Sequence, residues 1–222
     1  MIAPLIAPAT PIATKPSLER NVDWAGVLRQ ASLALAFQQA FRVAAQPKTR
    51  AELGGPFWKD YGASLRGIRG WRDGDSTFTN YFAHPMMGSM AGYIYLANDR
   101  RGEVEFGASR RYWATRLRAT GFSAAYSTVF EIGPLSEASV GNVGLHSGTN
   151  GAVDFVMTPV GGLGWMVAED ALDKHVIQPI ERGANNRWIS ATLRCVLNPS
   201  RSMSHLSRLE PPWRRSGRTL RE

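Results

Sequence analysis

The sequence predicts an all-α protein of five or six helices, with three Gly/Ala-rich apolar helices packed together at the centre. Three observations carry that expectation. An alanine-rich stretch with helical apolar spacing runs from Asp23 and ends at Pro47. Three further segments are apolar or small almost throughout, and each holds one ionisable residue. Hydrophobic residues make up 44% of the 222 and charged residues 20%, the balance of a chain with one well-buried core.

Residues 1–20 contain Pro4, Pro8, Pro11 and Pro16, and their first basic residue is Lys15. They lack the basic start and unbroken apolar run of a secretory signal, and read as a Pro-rich flexible leader. A single helical domain is expected over 21–200 and a basic, Arg-rich tail over 201–222.

Within the domain, Asp23 to Ala45 forms the first expected helix, with Trp24, Val27, Leu28, Phe37 and Phe41 among its apolar positions. Pro56 to Asp75 carries Phe57, Trp58, Tyr61 and Trp71 among Gly and Arg, and reads as a short aromatic helix or loop across the surface. The three apolar segments follow. Phe78 to Ala97 is interrupted by Asn80 and His84, Ala119 to Leu135 by Glu131, and Gly151 to Ala168 by Asp154. Each approaches the length of a short membrane span, about 17–25 residues. The polar interruptions and a mean hydropathy of −0.22 fit a clean span poorly. Tightly packed core helices and shallow membrane insertion both remain open.

Pro85 and Pro159 either kink these helices or begin them. Gly88 and Gly92 have the spacing that lets helices approach closely, within the chain or with a protein partner or second copy. An amphipathic run from Glu169 to His175 continues to Pro179, and a last helix is expected from Asn186 to Leu197. Everything after Ser200 reads as loop and tail.

Charge is unevenly placed. From Arg182 to Glu222 there are nine arginines, two glutamates and neither Lys nor Asp, so this end holds +7 of the formal +8. Trp213 with Arg214, Arg215, Arg218 and Arg221 has the makings of an anchor for an anionic membrane surface. Nucleic-acid phosphates would attract the same side chains, but no nucleic-acid-binding motif accompanies them.

No Glu-x-x-His, His-Glu-x-x-His, Gly-x-Ser-x-Gly or phosphate-binding glycine loop with its Lys occurs. Cys195 stands alone among apolar residues, so no disulfide within the chain and no multi-cysteine zinc site can form. Neither a metal nor a cofactor is expected. What the sequence offers instead is an argument from cost. An isolated charge in an apolar interior is expensive, so His84, Glu131 and Asp154 should turn toward one another. Asn80 lies four residues before His84 and Thr158 four after Asp154, which puts each pair on one helix face. The five residues form a candidate binding site. His84 and Glu131 are the candidates for a general acid–base pair, with a register-fixing buried pair as the alternative. Glu169, fifteen residues beyond Asp154, belongs to another layer about 22 Å further along the axis.

Three short motifs stand in order along the chain: Asn80-Tyr81-Phe82-Ala83-His84-Pro85 with Gly88, then Glu131-Ile132-Gly133-Pro134, then Asp154 followed by Thr158-Pro159-Val160-Gly161-Gly162. On these motifs the chain, from Phe57 to about Arg201, resembles a family of uncharacterised bacterial envelope proteins, the domain of unknown function numbered 3943. The resemblance implies a bacterial origin and a place in the cell envelope. The resulting expectation is a noncatalytic, membrane-associated envelope protein with a binding or organising role. The alternative is an enzyme modifying a lipid or envelope polymer through a buried His/Glu pair.

Overall fold

The structure is a computed structural model and describes residues 21–51, 53–54, 56–102, 104–140, 151–184, 186–215 and 218. The leader over 1–20 and Arg221 lie outside the described residues. Helix makes up 74% of the described residues, and no strand occurs among them.

The α-helical segments are α1 (Trp24–Ala45), α2 (Pro47–Ala51), α3 (Phe57–Arg66), α4 (His84–Ala97), α5 (Arg110–Ile132), α6 (Glu137–Val140), α7 (Val153–Val156), α8 (Gly162–Leu172), α9 (Gln178–Gly183), α10 (Arg187–Leu197) and α11 (Pro199–Leu206). Three π-helical turns join some of them. Thr79–Ala83 leads into α4, while Met157–Gly161 and Asp173–Ile177 splice α7, α8 and α9 into one rod. Each π turn contains or immediately precedes a proline region, at Pro85, Pro159 and Pro179. Proline lacks a backbone donor and crowds the carbonyl four residues earlier, and the wider turn absorbs that misfit without breaking the rod. The chain therefore neither stops nor restarts at these prolines.

With the α7–α9 rod counted once and the short α2 and α6 left out, there are seven helices among the described residues, where five or six were expected. The unforeseen one is α11, in the stretch read as loop and tail. Its composition, Pro-Ser-Arg-Ser-Met-Ser-His-Leu, is a poor helix signal, but a buried carboxylate from α8 caps its start. The Glu169 Oε1 accepts from the Ser200 N–H at 2.8 Å and Oε2 from the Arg201 N–H at 3.2 Å. A second difference concerns α5, which begins at Arg110, nine residues before the apolar segment, with Ser109 capping the Tyr112 N–H.

α4 forms the centre, with α5, α8, α11, α1 and the Met157–Gly161 turn packed around it. Val27, Tyr93, Tyr95, Ala119 and Met166 form one apolar cluster; Ala31, Ala34, Met90, Ala91, Ile94 and Tyr126 form another. Glycine sets the tightest crossing. A Cβ on Gly88 would collide with the Thr158 carbonyl, and one on Gly162 would stand 2.9 Å from the Gly88 carbonyl carbon. A Cβ on Gly92 would meet the Met166 side chain. The Gly88/Gly92 face, considered above for a protein partner or second copy, is thus filled by the chain's own rod.

Gly/Ala packing describes only part of the centre. The buried face of α5 consists of Tyr112, Thr115, Arg116, Ala119, Ser123, Tyr126, Ser127 and Glu131, which is largely polar. Conversely, Leu33, Phe37 and Phe41 of α1 are exposed, as are Phe78, Phe82 and Val160. Among the described residues no helix is long and apolar enough to cross a membrane.

Candidate functional site

The first π turn carries Asn80 and leads straight into His84, so both face the second rod. Asn80 donates from Nδ2 to Asp73 Oδ1 at 2.8 Å, and the Asp75 N–H donates to the same oxygen at 3.0 Å. The loop holding Asp73 is tied to the start of α7 by two backbone bonds, Ala152 N–H to the Gly70 carbonyl at 3.0 Å and Val153 N–H to the Trp71 carbonyl at 3.1 Å. Asp73 is thereby held against Asp154.

His84 bridges the rods. Its Nε2 lies 3.2 Å from Asp154 Oδ1, although not in the alignment of a well-formed hydrogen bond, and its Nδ1 lies 3.4 Å from Thr158 Oγ1. Burial pushes the Asp154 pKa up to about 9, reinforced by its hydrogen bond with Asp73 and the charges of Asp73, Glu137 and Asp75. Burial alone would also raise the Asp73 pKa, but the hydrogen bonds from Asn80, Asp154 and Asp75 outweigh it and hold the group below the usual carboxylate value. Burial lowers the His84 pKa despite the negative charges of Asp75 and Asp73. At neutral pH, then, Asp73 is the anion, Asp154 keeps its proton and donates it to Asp73, and the imidazole is neutral. The His84–Asp154 contact is a meeting of neutral groups, not an ion pair.

Asn80, His84, Asp154 and Thr158 thus converge, and Asp73 joins them. Glu131 sits at the edge. Burial raises its pKa well above normal, aided by Glu137 and Asp154 and opposed by Arg42, which pairs with Glu137 at 2.8 Å. Its Oε1 has no hydrogen-bond partner among the described residues. No His84–Glu131 contact occurs among the described residues; the histidine's carboxyl neighbour is Asp154. Among the described residues no group of three or more His, Cys, Asp or Glu side chains could hold a metal ion.

A second polar cluster lies further along the long rod. Asp170 accepts from Tyr93 at 3.0 Å, Tyr112 at 2.9 Å, Arg116 Nε at 2.7 Å and Arg201 Nη2 at 2.7 Å. Burial and the Asp170 charge raise both tyrosine pKa values, so the phenols remain donors. Asp173 binds Arg218 Nη2 through both oxygens at 2.7 Å, and Glu181 binds Arg194 Nε at 2.5 Å. Glu169 caps α11 and accepts from Trp165 Nε1 at 2.9 Å; it belongs to this layer rather than to the His84 cluster.

This arrangement divides the residues expected at a lipid surface. Trp213 and Arg214 face outward, with Arg214 reaching Glu210 at 3.0 Å. Arg215 is buried, and Arg218, about a quarter exposed at 26%, is turned onto Asp173 and Glu181, so the guanidinium groups of both are engaged within the protein. The tail folds back because the long rod and α9 present Asp170, Asp173 and Glu181, whose buried charges need cations. Sequence reading missed Asp73, Asp170, Asp173 and their arginines. Asp170 and Asp173 were visible only as part of an amphipathic run, and Asp73 lay in a Gly-rich loop whose fold no local spacing indicates.

No family model matches the chain, and no curated protein or solved structure matches it either.

Proposed function

We propose that the chain is a noncatalytic bacterial cell-envelope protein that seats on an anionic membrane surface and serves there in binding or organisation. One observation carries this reading: α10 is built with its polar side inward. Arg194 and Ser190 are buried, while Trp188 is 69% exposed, Val196 67% exposed, and Ile189 lies beside them. An ordinary surface helix has the opposite arrangement. Arg187 sits over the Trp188 ring at 5.3 Å, and exposed Trp213 and Arg214 lie next in the segment that Arg194 grips through the Trp213 carbonyl at 3.0 Å. Apolar and aromatic side chains flanked by guanidinium groups suit the boundary between acyl chains and anionic headgroups. The envelope motifs support the same location.

Flotation with phosphatidylcholine vesicles, with and without phosphatidylglycerol, tests the proposal. The chain should float with both and more strongly with the anionic vesicles, and Trp188→Ser/Val196→Ser should abolish flotation without unfolding the protein. Recovery of the intact chain wholly in the unbound fraction would refute it.

One observation favours a second reading, an enzyme acting on a lipid or envelope polymer. His84 faces a hydroxyl with one nitrogen and a proton-sharing carboxyl pair with the other, the surroundings of a general base that can become charged and discharge again. The couple would be His84 with Asp154 and Asp73, rather than His84 with Glu131. Thr158 is buried, which suits it to orienting the imidazole rather than to attacking a substrate. Turnover of a lipid ester that disappears in His84→Gln, with folding intact, would favour this reading.

A further inference from the structure

Between α5, the far end of the long rod and the returning tail lies a cavity of about 240 Å³. Its walls include Arg116, Lys174, Arg201, Arg215 and Arg218, against three carboxylates, an excess of two positive charges. Most of these cations have counter-ions. Arg116 and Arg201 bind Asp170, Arg218 binds Asp173, and Lys174 lies 3.5 Å from Glu105.

Arg215 differs. It is 5% exposed, and its two Nη atoms donate to the carbonyls of Pro212, Arg214 and Arg194 and to Ser202 Oγ. Its Nε has no partner, and no carboxylate pairs with it among the described residues. Burial and the charges of Arg201, Arg194 and Arg218 pull its pKa down to about 10, with Asp173 opposing. A buried guanidinium with no counter-ion is strongly unfavourable. A ligand bringing negative charge into the cavity would remove that penalty. The cavity is also graded, with the Glu105 side chain, 68% exposed, at its open end and Arg215 at its closed end. Val104 and Phe106 supply an apolar wall.

We infer that this cavity binds a phosphate group, carried by a small phosphorylated molecule or a lipid headgroup, with Arg215 as the inner cation and Lys174 as the cation at the mouth. The unpartnered Nε of Arg215 would donate to one phosphate oxygen in a charge-assisted contact, and the excess of two charges suits a phosphomonoester dianion. The inference does not rest on the lipid-surface reading, since α10 and its exposed face form no part of the cavity wall.

Calorimetric titration of the full chain at constant ionic strength, with inorganic phosphate and glycerol phosphate as probes and chloride as control, tests it. Saturable binding of either phosphate is expected, weakened about tenfold or more in Arg215→Met, on the order expected for a charge-assisted contact. Because Arg215 is buried, Lys174→Gln at the mouth provides the safer variant: its melting temperature without ligand should be unchanged and its phosphate affinity reduced severalfold. Vesicles containing phosphatidic acid separate the two sources. Displacement of bound vesicles by inorganic phosphate, but not by chloride, would identify a headgroup; phosphate binding with vesicle binding unaltered would identify a soluble ligand. No saturable phosphate binding by any of these routes, or equal affinity in the wild type and Lys174→Gln, would overturn the inference.

Discussion

Gly88 and Thr158 meet backbone to backbone: the Thr158 carbonyl occupies the space that a Cβ on Gly88 would need. This crossing brings α4 close enough to the long rod for His84 to reach both Thr158 and Asp154. The polar cluster therefore depends on one missing methyl group.

Gly88→Ala should separate the rods, because the obstacle is main chain and cannot rotate away. A loss of about 3 kcal/mol or more is expected in denaturant unfolding, at the upper end for overpacking. Gly92→Ala meets the flexible end of Met166 and should lose only about 1 kcal/mol. Equal losses at the two positions would contradict the crossing described.

Asp154 gives a pH dependence with a definite sign. Its folded pKa of about 9 lies above the ordinary value of 3.8, so between the two the folded chain holds a proton that the unfolded chain has released. Its contribution is fully present below the unfolded pKa and is lost as pH rises toward the folded one, at up to about 1.4 kcal/mol per pH unit. Asp154→Asn keeps an N–H for Asp73 and removes the titration. Its melting temperature should overtake that of the wild type as pH rises from 5 to 8, by about 3 °C or more at the upper end. A constant difference across that range would show that Asp154 does not titrate in this way.

Asp170 organises the second cluster. Asp170→Asn leaves the buried Arg116 and Arg201 short of their carboxylate and should destabilise the protein by about 3–5 kcal/mol, measured by urea unfolding. The exposed pair of Arg214 and Glu210 offers a contrast, and Arg214→Ala should change stability by less than about 1 kcal/mol.

Much of the helical framework was legible in the sequence, because apolar spacing and terminal prolines report local structure. The α1 segment, the helix through His84 and α10 all follow from such patterns. Asn80, His84, Asp154 and Thr158 were also legible as a group, since lone polar residues in apolar segments have few places to go. Asp73 was not, because its role depends on the backbone bonds from Ala152 and Val153 that bring a distant loop to α7. The tail misled for a related reason. Arg218 looks like a surface charge until Asp173, some forty residues away, is placed beside it, and Arg215 until the Arg194 carbonyl and Ser202 are. α11 likewise needs Glu169 from another helix to cap it. Long-range electrostatics leaves no periodic trace in a sequence.

The position of α10 at a bilayer gives the most direct test of the account. A nitroxide label placed by Val196→Cys in a Cys195→Ser background can be probed by oxygen, which concentrates in acyl chains, and by a water-soluble nickel complex. On adding vesicles containing phosphatidylglycerol, the label is expected to gain oxygen exposure and lose nickel exposure. Unchanged exposure to both, with the labelled protein folded, would contradict the claim that this helix turns its apolar side toward lipid.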